Sequence, residues 1–395
     1  MAESAAAAGY AFVSLDWFGD LDHSLLGPLF SPRRPLPGFP EWRGTKIDRL
    51  VEWGIMLAKQ ERCDSVVYAS GLENWPALLS RLLSESGCRL YGNSPSVLQQ
   101  VRDPLALCRG LRQAGFKAAE TCHPDSGLPA GNRRWLVKPV KSGGGHGVAF
   151  AGKAEAVSAN SVYQEYLSGR PCSFTFVADG DNSLVLGTTE QLVGSKSSTG
   201  RAFGYAGNLF PLPCGDPAKL LETVSRIARW LTSCYGLRGL NGVDFVLHDQ
   251  DVWVIEVNPR YSASMELLER AYELPMIELH LLACCGNWQK VKQMVEALPV
   301  KYPPVQPGRI WGKRVIYTAA RKLVRPIFCG EKEEEARAWA RRMHARGFRD
   351  LPFPGDVISG RNPVATVIAS GTTRANCLKK LNSLSRLMRS QLCSC

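Results

Sequence analysis

Asn241-Gly-Val-Asp-Phe-Val-Leu-His248, the polar step Asp249-Gln-Asp251, and Val252-Trp-Val-Ile-Glu-Val-Asn-Pro-Arg260 read as two apolar strands joined by a turn. A three-residue loop centred on Gln250 sets Asp244 directly across from Glu256, because opposed hairpin residues share one face. The two-residue strand period then brings Asn258 to that face. Two carboxylates and an amide oxygen converging within apolar strands repel one another and lose hydration unless a cation lies between them. Magnesium meets that need, since it accepts a few carboxylate oxygens and completes its shell with water and nucleotide phosphates. Asp244, Glu256 and Asn258 are therefore the expected metal ligands. A half-exposed hairpin with its polar residues in solvent is the competing reading of this stretch alone.

Upstream, Trp135-Leu-Val-Lys138-Pro-Val-Lys-Ser-Gly-Gly-Gly-His-Gly147 is a strand that ends on a lysine and opens into a glycine-rich loop. No Gly-Lys-Ser/Thr closes it, so it is not a Walker motif. Gly143, Gly144, Gly145 and Gly147 let backbone N–H groups approach phosphate oxygens, and Lys138 supplies a point charge. A plain mobile loop has the same composition. Between loop and hairpin, Val162-Tyr-Gln-Glu-Tyr-Leu167 is a short strand running into Ser-Gly-Arg, whose main chain suits the edge of an adenine.

Taken in order, these three segments resemble the ATP-grasp superfamily, and within it ATP-dependent carboligases related to biotin carboxylase. The likeness runs from about Tyr10 to Arg270. It implies phosphate binding by Lys138 and the loop Gly143, Gly144, Gly145 and Gly147. It also implies adenine binding by Gln164, Glu165, Tyr166 and Leu167, and magnesium on Asp244, Glu256 and Asn258. Lys138 and Arg260 become the catalytic residues, with Arg260 on the transferred phosphoryl group. The implied activity is that of an ADP-forming carboxylate-amine ligase, with ATP and Mg2+ as cofactors and small-molecule acids and amines as partners.

The sequence departs from the pattern twice. Arg102-Asp103-Pro104 stands where the family has an Asp-Lys pair, so its first phosphate-binding lysine is missing, with Arg102 as the nearest substitute. Pro171-Cys172-Ser173 lacks the carboxylate that reads the ribose. The segments Leu15-Asp-Trp-Phe-Gly-Asp-Leu-Asp22 and Gly71-Leu-Glu-Asn74 are similar to a branch linked to methanopterin and methanofuran metabolism, which implies glutamate ligation onto a one-carbon cofactor precursor.

Outward from these motifs, the alternation of short apolar runs and amphipathic stretches before residue 100 predicts a Rossmann-like α/β unit with a parallel sheet. No G-x-G-x-x-G follows its first strand, so a dinucleotide is not the expected ligand there. Residues 101–300 read as an α+β ATP-grasp domain. In it, Pro217 to Tyr235 form a helix carrying Leu220, Leu221, Val224, Ile227, Ala228 and Leu231 on one face. Helical patterning from about Val101 to Gly115 and from Ser262 to Leu298 brackets the strands. Pro303, Pro304 and Pro307 mark a boundary, and residues 301–395 read as a small basic α+β domain.

Substrate groups are expected from Gly187-Thr-Thr-Glu-Gln191, Lys196, Arg201 and Tyr205, and from Asp16, Asp20, Glu73 and Asn74 at strand ends.

The net charge of +12 resides beyond residue 308, where 18 Lys and Arg face 6 Asp and Glu. Such a tail steers acidic ligands, or serves as a solvated face. No run reaches the roughly 18 apolar residues of a membrane span, and the Ala-rich start lacks the basic leader of a signal peptide. A cytoplasmic protein is expected, with reduced thiols, no membrane or nucleic-acid partner, and a homodimer among the allowed assemblies. Two further functions fit the same motifs: a biotin-carboxylase-like carboxylase, and a non-catalytic ATP-binding protein with a nucleic-acid-binding tail.

Overall fold

The computed structural model describes residues 1–34, 45–152, 158–194, 199, 201–298, 308–319, 322–324, 333–390 and 392–394. Lys196 and the three prolines of the 301–307 stretch lie outside them.

The organising element is an eight-stranded sheet in which every neighbouring pair is antiparallel. Its order is Asp251–Asn258, Arg238–His248, Arg170–Asp179, Ser183–Val193, Tyr205–Phe210, Ile310–Tyr317, Pro363–Gly371 and Phe348–Arg349. The last three strands come from the basic C-terminal stretch, so that stretch extends the sheet that carries the Asp244/Glu256 hairpin.

Alternation along Arg170–Asp179 explains how the sheet is covered. Cys172, Phe174 and Phe176 point to one side and pack with Leu220, Val224, Ile227 and Leu231 of the helix Pro217–Tyr235. Asp216 caps that helix by accepting from the Lys219 N–H, and Gly236 ends it in the left-handed conformation. On the other side, Val177, Leu240 and Phe210 lie under the helices Met265–Tyr272 and Met276–Cys284. Further along that second face the apolar cover stops, and Ser173, Thr189, Asn208, Asp244 and Lys313 take over. This change of polarity within one face marks the floor of a site.

A second sheet, ordered Thr121–Cys122, Ser161–Glu165, Trp135–Pro139 and Ala149–Phe150, holds the glycine-loop strand. The N-terminal α/β unit contains two separate parallel pairs, Ser14–Leu15 with Leu29–Phe30 and Ser65–Val66 with Arg89–Leu90. The helix Lys46–Gln60 starts on a capping box at Thr45 and Asp48.

Three expectations change in detail. The 101–115 helix is shorter, Pro104–Gln113, and follows a separate helix Pro95–Val101, because Pro104 cannot continue the first and Asp103 caps the second through the Leu105 and Ala106 N–H groups. The 262–298 region is three helices, Met265–Tyr272, Met276–Cys284 and Trp288–Glu296. The Asp244/Glu256 hairpin turns through two residues, Asp249 and Gln250, both at positive φ, with His248 opposite Asp251. A bulge between Asp244 and Phe245 then shifts the register by one, so Asp244 still faces Glu256.

Candidate active site

Lys138 is the penultimate residue of the strand Trp135–Pro139, and its Nζ lies 2.5 Å from Glu256 Oε2. Both side chains are partly buried, at 15% and 23% exposure. Asn258 Nδ2 donates to Asp244 Oδ2 at 3.2 Å, and Gln191 Nε2 donates to Asp244 Oδ1 at 2.8 Å. Burial and the facing Glu256 push the Asp244 carboxyl up to about 7. Burial acts the same way on Glu256, but Lys138 and Arg102 outweigh it and hold that carboxyl down at about 2. Lys138 and Arg102 thus both face Glu256, while Asp244 is the carboxyl that burial and its neighbour keep raised.

This donor set fits magnesium. Two facing carboxylates are hard ligands, a divalent ion would relieve the repulsion that raises Asp244, and Asn258, which here turns its amide nitrogen to Asp244, carries the third oxygen. Among the described residues no three His, Cys, Asp or Glu gather to hold a metal, so water and phosphate oxygens would have to complete the shell.

Arg260 follows Asn258 out of the hairpin. Its Nε donates to Glu73 Oε1 at 2.6 Å and one terminal nitrogen donates to the Tyr261 carbonyl at 3.1 Å. The Tyr68 hydroxyl and Asn93 Nδ2 donate to the Pro259 carbonyl at 3.1 and 3.0 Å, and Asn93 also donates to Asn241 at 2.9 Å. The N-terminal unit therefore fixes where Arg260 stands. Sequence reading missed Tyr68 and Asn93, for which no local pattern exists. It had Glu73 as a substrate group, whereas here Glu73 is the counter-charge of Arg260.

Arg102 donates to Asn74 Oδ1 at 2.8 Å and to the Val257 carbonyl at 3.1 Å, beside Glu256. It lines a small cleft with Lys138 and Glu256.

Gly144, Gly145 and Gly147 all take positive φ, and Gly143 needs no such freedom. The Tyr205 N–H donates to the Gly144 carbonyl at 3.1 Å, which ties the glycine loop to the segment after Ser183–Val193. A Cβ on Gly145 would fall 1.8 Å from the Phe203 carbonyl oxygen. His146 contacts Arg201, and Phe203 packs edge-on against Phe150 at 5.2 Å. Gly145→Ala is expected to break this contact and weaken nucleotide binding about tenfold with little change in melting temperature. Calorimetric titration with ADP and magnesium measures it, and wild-type affinity would show that the contact has no part in holding the loop.

The hinge residues are less uniform. Gln164 is buried and its amide donates to Thr121 Oγ1 at 3.3 Å and to the Ile255 carbonyl at 3.4 Å. Glu165 lies 3.6 Å from Arg133, and Tyr166 stacks edge-on with Phe150 at 5.1 Å under Arg134. Leu167 follows, partly buried. Of the expected substrate groups, Gln191, Tyr205 and Thr189 share the polar face, while Glu190 points to the other side and pairs with Arg374 at 2.5 Å. Asp16 accepts from the Phe18 and Gly19 N–H groups in a local turn, and burial together with Asp350 raises the Asp20 carboxyl.

The class of protein that this fold and site define is the ATP-grasp fold, and residues 101–264 match the family model described as ATP-grasp domain. That segment of the chain is an ATP-grasp domain. The chain is 26% identical over 277 residues to the large chain of carbamoyl phosphate synthase from two strains of Thermus thermophilus, covering 64% of this chain and 24% of theirs. It thus spans about a quarter of these curated relatives.

Among solved structures it resembles Rhizobium etli pyruvate carboxylase with acetyl coenzyme-A, with TM-score 0.69 and 15% identity over 97% of this chain and 35% of that one. It also resembles the biotin carboxylase domain of Hydrogenobacter thermophilus 2-oxoglutarate carboxylase, solved with MgADP and bicarbonate. There the TM-score is 0.65 and the identity 13%, over 97% of this chain and 86% of that one. Campylobacter jejuni biotin carboxylase gives 0.66 and 12%, over 99% and 88%. The fold is therefore the biotin-carboxylase form of ATP-grasp. Among the described residues no helix is long and apolar enough to cross a membrane.

Proposed function

We propose that the chain is an ATP- and magnesium-dependent carboxylate-amine ligase, with a unit at 1–100 and two further stretches, 101–300 and 301–395, that share one sheet. The observation that carries the reading is the meeting of Lys138, Glu256, Asp244 and Asn258 beside a glycine loop, inside an ATP-grasp domain. Lys138 and the loop amides hold phosphate oxygens, and Gln164 to Leu167 border the adenine. Asp244, Glu256 and Asn258 hold magnesium, which when bound neutralises charge on the phosphates. Arg260 presents its remaining donors to the phosphoryl group in transfer.

The acid substrate is already ionised, so its activation needs positioning and charge neutralisation more than a base. A carboxylate oxygen bonds to the γ-phosphorus as the bridging P–O bond breaks, and ADP leaves with the electron pair. The amine nitrogen then attacks the acyl carbon, phosphate departs and the nitrogen loses a proton. Glutamate ligation onto a one-carbon cofactor precursor is the finer assignment, supported by the opening segments Leu15 to Asp22 and Gly71 to Asn74.

A screen of acids with ATP, magnesium and hydroxylamine tests this. The expected products are ADP, phosphate and a hydroxamate in equal amounts, and AMP with pyrophosphate would overturn the acyl-phosphate route. The near full-length likeness to biotin carboxylases favours a second reading, in which bicarbonate is the acid. ADP release that depends on bicarbonate and yields no hydroxamate from organic acids would select it.

A further inference from the structure

On the polar side of the large sheet the pairing register runs Glu256, Asp244, Ser173, Thr189, and then Gln191, Asn208, Lys313. Directly opposed residues share a face, so the Lys313 side chain stands on the same side as the metal pair. The row is stitched together: Ser173 and Thr189 hydroxyls lie 2.8 Å apart, Asn208 Nδ2 donates to Thr189 at 2.9 Å, and the Tyr205 hydroxyl donates to Asn208 Oδ1.

Lys313 is 8% exposed and its ammonium lies 2.5 Å from Glu266 Oε2, at the start of the helix Met265–Tyr272. An ammonium has three donors, and among the described residues Glu266 is the one acceptor within hydrogen-bond reach of it. A buried ion pair gains little stability over an apolar pair of the same volume, so packing alone does not account for a lysine here. Tyr205 is set in the field of Lys313, Glu266 and Asp244 together, which places both ends of the row around one phenol.

Resting on the ligase reading above, we propose that Lys313, positioned by Glu266, binds an anionic group that the acid substrate carries besides the carboxylate being activated. That group is a carboxylate or a phosphate. Four strand spacings separate the Asp244 and Lys313 backbones, about 19 Å. The two side chains and the metal shell take up roughly half of this, leaving an extended acid of about six to eight bonds.

Hydroxylamine trapping tests the assignment with suberate, its monoacid counterpart octanoate, and 6-phosphonohexanoate for the phosphate case. The wild type is expected to prefer one of the dianions over octanoate by at least about tenfold in kcat/KM. That ratio should collapse in the double variant Lys313→Met, Glu266→Gln, in which Arg349, 4.0 Å from Glu266, keeps its ion pair with Glu3 at 2.9 Å, and survive in Lys313→Arg. Equal use of octanoate, or equal loss for all acids in a double variant of unchanged melting temperature, overturns it.

Calorimetric titration of suberate and 6-phosphonohexanoate in the presence of MgADP separates the two readings. If no acid is turned over, the ligase reading fails. Binding of either dianion that disappears in the double variant would still support the Lys313 site, and binding to neither form would end it.

Discussion

Glu256→Gln is expected to lower ATP turnover by roughly a thousandfold while the fold persists. The substitution keeps the side chain's size and removes the charge that faces Lys138 at 2.5 Å and that would hold the metal. Asp244, directly across the hairpin, stays as the counter-charge for Lys138, so the loss falls on phosphate binding and not on packing. Steady-state ADP release with thermal unfolding alongside measures both effects. Turnover within tenfold of wild type would remove Glu256 from the metal set. Dialysis against a chelator should cost at least as much, and added magnesium should restore the wild type and not the variant.

The second large effect concerns Arg260 and Glu73, which are 10% and 3% exposed in their side chains and joined at 2.6 Å. Glu73→Ala leaves a nearly buried guanidinium without its counter-charge, an arrangement that costs about 3–5 kcal/mol. A drop of several degrees in melting temperature should follow, with lost turnover. Arg260→Lys keeps the charge and loses the forked donor geometry. It should therefore retain most of the stability and lose about a hundredfold in kcat. Wild-type kcat in Arg260→Lys would show that the arginine serves only to join the N-terminal unit to the hairpin.

The hairpin's pairing emerged from the sequence although the turn was misjudged, and the reason is physical. A two-residue turn with Asp249 and Gln250 at positive φ moves the register by one, and the bulge at Asp244/Phe245 moves it back. Apolar alternation and the need to place Asp244 against Glu256 constrain the strands more firmly than the loop does. The helix Pro217–Tyr235 was legible for a similar reason, since five of its six expected apolar residues are buried.

Strand-level chemistry thus belongs to the sequence alone: Lys138 ahead of its glycines, and Asp244, Glu256 and Asn258 on one hairpin face, follow from period and spacing between near neighbours in the chain. Tertiary structure decided the rest. It set Glu73 against Arg260 across 187 positions and pinned Pro259 by Tyr68 and Asn93. It also turned Glu190 away toward Arg374 and brought Lys313 onto the sheet face that holds Asp244 and Glu256. Contacts of that kind depend on how strands are ordered in a sheet and which unit closes over it, and no local periodicity encodes that order.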